Sequence, residues 1–219
     1  MSVDKVILKA FLSTLGAIAA LFLVMLCALV AGFPETMMDI TYDMGMETPC
    51  IWFAERSYKR HDDIEVIALA TSVAISEDNH KKVVSCGEKM IADNEFATYC
   101  AQKDEATAAS AGDKTVTDVN GEPILLKDLI GRYDQYVYGQ ICLSKYELGD
   151  ADGAIARAIT LTEGFPRNNA LAVLLISALE RSDTATVETI KGKMNEMQSE
   201  VPEGDQTYFG EILALVQDE

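Results

Sequence analysis

The sequence predicts an all-α chain in which one apolar anchor helix precedes an array of antiparallel helix pairs. Three observations predict it. Residues 10–34 contain no charge. The remainder spaces its apolar residues three and four apart, with Gly, Pro, Asn and Asp where helices start and stop. No segment shows the sustained period-two alternation of a half-buried strand.

The uncharged run reads AFLSTLGAIAALFLVMLCALVAGFP. About 24 helical residues rising about 1.5 Å each reach about 36 Å, more than a hydrocarbon core of about 30 Å requires. A cleaved signal peptide is the competing reading, and Val30-Ala31-Gly32 offers it a small-residue processing site. Its apolar region would normally span only about 7 to 15 residues. Met25-Leu26 ahead of Cys27 do not make a lipoprotein signal, so an uncleaved transmembrane anchor over 1–34 is expected. Lys5 and Lys9 precede the span, while Glu35, Asp39 and Asp43 follow it. Basic flanks stay in the cytoplasm, which puts the N-terminus inside and the helical domain outside, in the periplasm or on the cell surface.

The formal net charge is −17, and only Asp4, Lys5 and Lys9 are charged before residue 35. A field of that sign repels phosphate backbones and anionic lipid surfaces, so nucleic acid is excluded as a partner.

Residues 35–47 read as a juxtamembrane linker. Thr48-Pro49 reads as a cap and first helical position for a helix carrying Ile51, Trp52, Phe53 and Tyr58. A second helix follows Asp62 or Asp63 as IEVIALATSVAIS, apolar nearly all round and therefore buried among neighbours. Helices near Asn79 to Ala92 and Glu95 to Gln102 complete a set of N-terminal hairpins over 48–104. Residues 105–121 are small and polar and include an Asn120-Gly121 turn, so they read as a loop. A long helical pattern then starts at Glu122-Pro123 and opens a helical region over 122–219, closed by a capping helix near Gln206 to Val216.

Within that region Tyr138, Ile141, Cys142 and Tyr146 occupy one helix, Gly149-Asp150 makes a turn, Ala154, Ala158 and Leu161 follow on a second helix, and Pro166 ends the unit. Gly149 suits a left-handed helix terminus, and Asp150 can cap the next helix. Cys142 and Ala154 lie about equally far from the turn and are small enough for close axial approach. Over residues 135–168 this arrangement resembles the tetratricopeptide repeat family. Shifted by one repeat, Ala172, Leu175, Ile176 and Leu179 form a first helix, and Asp183 caps a second with Val187, Ile190 and Met194. Ala158 and Leu161 depart from the family's residue preferences, and the second unit lacks a turn glycine.

The resemblance implies a right-handed array whose groove, lined by the first helix of each pair, takes a protein or peptide partner. Carried over to this chain, the groove face comprises Tyr136, Gln140, Leu143, Glu147, Val173 and Ser177, with Arg167 and Asn168 at the junction. An alternative is a structural accessory subunit of a larger membrane complex, held through the span. A third is a hydrolase or solute-binding domain on a helical toroid.

Cys50, Cys86, Cys100 and Cys142 would stand in a compartment that permits disulfides. Cys86 and Cys100 are equidistant from a turn at Asp93 and form the expected bridge, while Cys142 reads as a buried thiol or a partner of Cys50. His61 and His80 read as solvated. No catalytic residue, metal site or cofactor is expected. Asp150-Ala151-Asp152-Gly153 has the wrong spacing for a calcium loop, and Leu161 stands where its closing glutamate belongs. The absence of Asn-x-Ser/Thr points to a bacterial source.

Overall fold

The computed structural model describes residues 3–117, 123–126, 131–162 and 169–198. These residues are helical apart from one two-stranded ribbon. Helix α1 spans Val3–Gly32, and its Thr14–Gly32 stretch, 19 residues of mean hydropathy 2.6 with none of it buried, is long and apolar enough to cross a membrane. The chain divides into two compact units, Met1–Ala70 and Thr71–Glu219.

In the first unit, α2 (Pro34–Asp43) packs along α3 (Glu47–His61). The linker expected over 35–47 is therefore mostly helix. Pro34 starts it at a position where a missing N–H costs nothing. Pro34, Met38 and Thr41, spaced four and three apart, form one buried stripe. Thr41 is tolerated there because its hydroxyl donates to the carbonyls of Met37 at 2.8 Å and Met38 at 2.9 Å. Helix α3 buries Cys50, Phe53, Ala54 and Ser57. It starts at Glu47, one residue before the expected cap, with Pro49 inside its first turn. Asp62 ends it in the left-handed region at φ 52°, and α4 (Ile64–Ser76) follows.

Beyond α4 come α5 (His80–Ala92) and α6 (Phe96–Ala111). The loop expected over 105–121 is helical through Ala111, because its alanine-rich run favours helix over coil. Gly112, at φ 55°, ends α6. Strand β1 (Thr115–Thr117) then pairs antiparallel with β2 (Pro123–Leu125), Thr115 opposite Leu125. Strand β2 takes the opening residues of the helix expected from Glu122, and 127–130 lie outside the described residues. The strands of the ribbon are three residues each, too short to show a period of two. The main helices of the second unit are α7 (Tyr133–Glu147), α8 (Ala151–Thr162), α9 (Asn169–Glu180) and α10 (Thr184–Gln198). The closing helix expected near Gln206 to Val216 lies outside the described residues.

Three turns share one backbone solution. Asp78 (φ 51°), Gly149 (φ 85°) and Ser182 (φ 57°) each adopt the left-handed region immediately before the cap residue. The next residue, Asn79, Asp150 or Asp183, donates its N–H back across the turn to the carbonyl of Ala74, Lys145 or Ala178, at 2.9, 3.0 and 2.9 Å. The side chain of that same residue accepts from the N–H three positions on, at Lys82 (3.3 Å), Gly153 (3.0 Å) and Thr186 (3.2 Å). One residue thus closes the preceding helix and opens the following one. The first core contact comes four residues later each time, at Val83, Ala154 and Val187, all buried. The Asp150 carboxylate folds over Gly153 and occupies the space that a Cβ there would need. The Asp-Ala-Asp-Gly sequence is thus a helix cap.

Helix α7 is the centre of this unit and packs against α5, α8 and α9. Cys142 and Tyr146 share one cluster with Ala154, Ala158, Leu171, Leu174, Leu175, Ile190 and Met194. Polar clamps reinforce it. Arg157 on α8 grips Glu88 on α5 with two bonds of 3.0 and 2.6 Å. The Tyr146 hydroxyl donates to Asp183 at 3.0 Å. On α5, a Cβ at Gly87 would meet Cγ1 and Cδ1 of the fully buried Ile141 at 2.7 Å, so the glycine permits α5 and α7 to close.

Gly87→Ala is expected to destabilise. Helix propensity favours Ala by about 1 kcal/mol, but overpacking costs about 1–3 kcal/mol. A lowered urea midpoint, and a larger loss for Gly87→Val, should be seen; an unchanged or higher midpoint would show that Ile141 moves aside freely. Acid supplies a second check. Hydrogen bonds from Thr186, then from Tyr146, hold the Asp183 carboxyl below its ordinary value of 3.8. A depressed folded pKa gives stability that is present above the unfolded value and lost as pH falls through the folded one. The thermal advantage of wild type over Asp183→Ala at neutral pH should therefore shrink below about pH 4. An advantage constant down to about pH 2 would remove the carboxylate from the account.

Candidate functional site

The N-terminal half of α7, with α6 on one side and α9 on the other, borders a depression of about 380 Å³. Asp104 and Thr107 come from α6, Tyr133, Gln135, Tyr136, Gly139 and Gln140 from α7, and Val173 from α9. The start of α7 is fixed from outside its own sequence. Asp104 accepts the Tyr133 N–H at 2.7 Å, serving as a cap donated by another helix. Arg132 and the buried Asp134 form an ion pair beside it, with Arg132 Nε donating at 3.1 Å. Asp134 also accepts the Gln135 N–H at 2.7 Å.

One wall is aromatic. The Tyr99 and Tyr133 rings meet edge-on at 5.9 Å, Tyr133 and Tyr136 follow at 6.1 Å, and Lys103 sits 5.0 Å above the Tyr99 ring. Burial, helped by the neighbouring Tyr99, pushes the Tyr133 phenol up to about 12, so it stays protonated at neutral pH. Tyr136 at the rim is 49% exposed. Gly139 brings α9 close, with Val173 Cγ2 only 3.6 Å from where a Cβ would stand.

Gln135 is the unusual member. It is 4% exposed, yet neither its amide nitrogen nor its amide oxygen has a hydrogen-bond partner among the described residues. Leaving such a group unsatisfied costs about 1–3 kcal/mol.

Of the sequence-predicted groove face, the structure brings Tyr136, Gln140 and Val173 together around this depression. Leu143 and Ser177 are half-buried on the same two helices, outside the lining. Glu147 is withdrawn from the groove by an ion pair with Arg181, whose guanidinium also lies 5.6 Å over the Tyr146 ring. Arg167 and Asn168 lie outside the described residues. Sequence reasoning missed Gln135, since a glutamine early in a helix ordinarily reads as solvated. It also missed the contribution of α6, whose Asp104 stands 29 residues before Tyr133 in the chain.

Cys50, Cys86, Cys100 and Cys142 are buried and none of the four is in a disulfide, which corrects the expected Cys86–Cys100 bridge. Equal distance from a turn did not bring them together, because α5 makes its main contact with α7, not with α6. Burial raises the thiols of Cys50, Cys100 and Cys142, the last two to about 12. His80 is also not simply solvated: its Nδ1 lies 3.3 Å from Ser144 Oγ, whereas the exposed His61 sits 3.5 Å from Glu35. Comparison with protein-family models, with curated proteins and with solved structures finds no match to this chain.

At pH 8 a thiol with a pKa near 12 is thiolate to only about one part in ten thousand. All four thiols are buried, so Ellman's reagent should titrate none of them in the folded protein and should count five per chain, Cys27 included, after unfolding without reductant. A deficit of two in the unfolded count would establish a disulfide.

Proposed function

We propose that this chain is a membrane-anchored extracytoplasmic scaffold that binds a protein or peptide partner in the depression between α6, α7 and α9. In this reading α1 crosses the bilayer with its N-terminus inside, and the helix pairs form a right-handed, tetratricopeptide-like array outside. The thrice-used turn and the α7–α8 and α9–α10 hairpins support a repeat architecture.

The observation that carries the binding proposal is the unpartnered Gln135 amide beneath a wall of tyrosines. A primary amide offers one acceptor and two donors, which is the complement of a peptide bond's N–H and C=O. An extended segment entering the depression would pair its backbone with Gln135 and rest side chains on Tyr136 and Val173, with Gln140 at the edge. Affinity then comes from relieving a buried polar group together with apolar contact, and a partner lacking the backbone pair is rejected.

Gln135→Leu separates this role from a packing role. Replacing an unsatisfied amide with an apolar group of similar shape should hold or raise the melting temperature. The same change should abolish photocrosslinks formed in intact membranes from a benzophenone at Tyr136, while crosslinks from the exposed Thr189 on α10 stay at background. Persisting Tyr136 crosslinks in the Leu variant, or equal crosslinking from both positions, would defeat the proposal.

A further inference from the structure

We propose that α3 carries a binding site for the headgroup of an anionic phospholipid, beside the point where α1 leaves the bilayer. The inference rests on the reading of α1 as a membrane span and is independent of the peptide groove.

Depth comes first. The 19 residues Thr14–Gly32 rise about 28 Å as a helix, so the carbonyls of Ala31 and Gly32 stand at the edge of the hydrocarbon core. Arg60 holds both, Nη2 donating to the Ala31 carbonyl at 2.6 Å and Nη1 to the Gly32 carbonyl at 3.3 Å. The cation also complements the negative end of the helix. The C-terminal end of α3 is thereby tied to headgroup depth.

Composition comes second. Arg56 and Trp52 lie one and two turns back from Arg60 on the same face of α3, and with Lys59 and Glu55 they line a depression of about 410 Å³. The Arg56 guanidinium carbon lies 5.4 Å from the Trp52 ring centre, and its buried Nε has no hydrogen-bond partner among the described residues. Trp52 is 46% exposed. An indole with a wet edge and an apolar body suits the membrane interface, and guanidinium is the side chain best shaped for phosphate. Three cations against one carboxylate make this patch positive in a chain of net charge −17. Glu35 also lies close to α3, accepting from the Ser57 hydroxyl at 3.3 Å and standing 3.5 Å from His61, so three cations face two carboxylates here, and acids beyond a Debye length of about 8 Å are screened. The whole-chain charge argued against anionic lipid; the arrangement of α3 reverses that at one place. In the bound state the lipid phosphodiester accepts from Arg56 and Lys59, and its glycerol and upper acyl chain lie against Trp52.

Trp52 is the only tryptophan in the chain and reports on its own site. The full chain in phosphatidylcholine nanodiscs is compared with phosphatidylglycerol or phosphatidylcholine brominated high on the acyl chain, at equal mole fraction. Trp52 fluorescence should be quenched preferentially by the brominated phosphatidylglycerol. Arg56→Gln and Lys59→Gln should each cut that preference about fivefold. Inorganic phosphate should not reduce it beyond sodium chloride of equal ionic strength. Equal quenching by both lipids, no quenching by either, a preference that survives both substitutions, or specific displacement by free phosphate overturns the site. The wild-type comparison stands even if a variant folds poorly. A chain stripped from membranes by alkaline carbonate overturns the anchor as well; one that resists carbonate yet shows no lipid preference overturns the headgroup site alone.

Discussion

The constraint on which the second unit depends is a left-handed residue followed by Asn or Asp. At 78–79, 149–150 and 182–183 this pair reverses the chain within about three residues and satisfies backbone groups on both helices. At 149–150 and 182–183 a reversal that short lays α7 beside α8 and α9 beside α10. Their apolar faces then coincide, which is why Ala154 meets Cys142 and why Val187 joins the same cluster as Leu174. Gly149 adopts its conformation at no steric cost, whereas Asp78 and Ser182 adopt it with a Cβ present. Tertiary packing and the caps compensate at those two.

The same packing leaves Gln135 in conflict with its surroundings. Helix α7 is held on several sides by α5, α6, α8 and α9, so the helix cannot rotate to bring that amide to water. The neighbours of Gln135 at the start of α7 are paired, the Tyr133 N–H with Asp104 and the Asp134 carboxylate with Arg132. Local inconsistency in an otherwise consistent structure concentrates where a protein binds something. The polar exception at the floor of a tyrosine-walled depression fits that pattern.

Much of the fold was legible in the sequence, because its signals are local. Gly149-Asp150, Asp183 and the helix from Asn79 to Ala92 could be read from cap and breaker residues alone, and the long apolar helix α1 from its missing charges. The helix α2 was not legible, since its buried stripe includes a threonine whose hydroxyl is satisfied only once the helix exists. The β1–β2 ribbon is too short for periodicity to register. The bridge between Cys86 and Cys100 failed for a different reason: which helix packs on which is a long-range choice, and α5 chose α7. The groove face was half legible. The resemblance to tetratricopeptide repeats singled out Tyr136 and Gln140, but the contributions of α6 and the withdrawal of Glu147 to Arg181 depend on contacts between residues about 30 positions apart or more. The cationic face of α3 was hidden by a net charge of the opposite sign.

The most direct test of the central claim is the side-chain amide resonance of Gln135, observed by nitrogen-15 NMR in the free chain and after addition of the peptide recovered by crosslinking from Tyr136. The expected result is a pair of amide protons that lie upfield in the free protein, buried and without a hydrogen-bond acceptor, and shift downfield when the peptide backbone pairs with them. Amide protons already downfield without ligand, or unmoved when the peptide is bound, would contradict it.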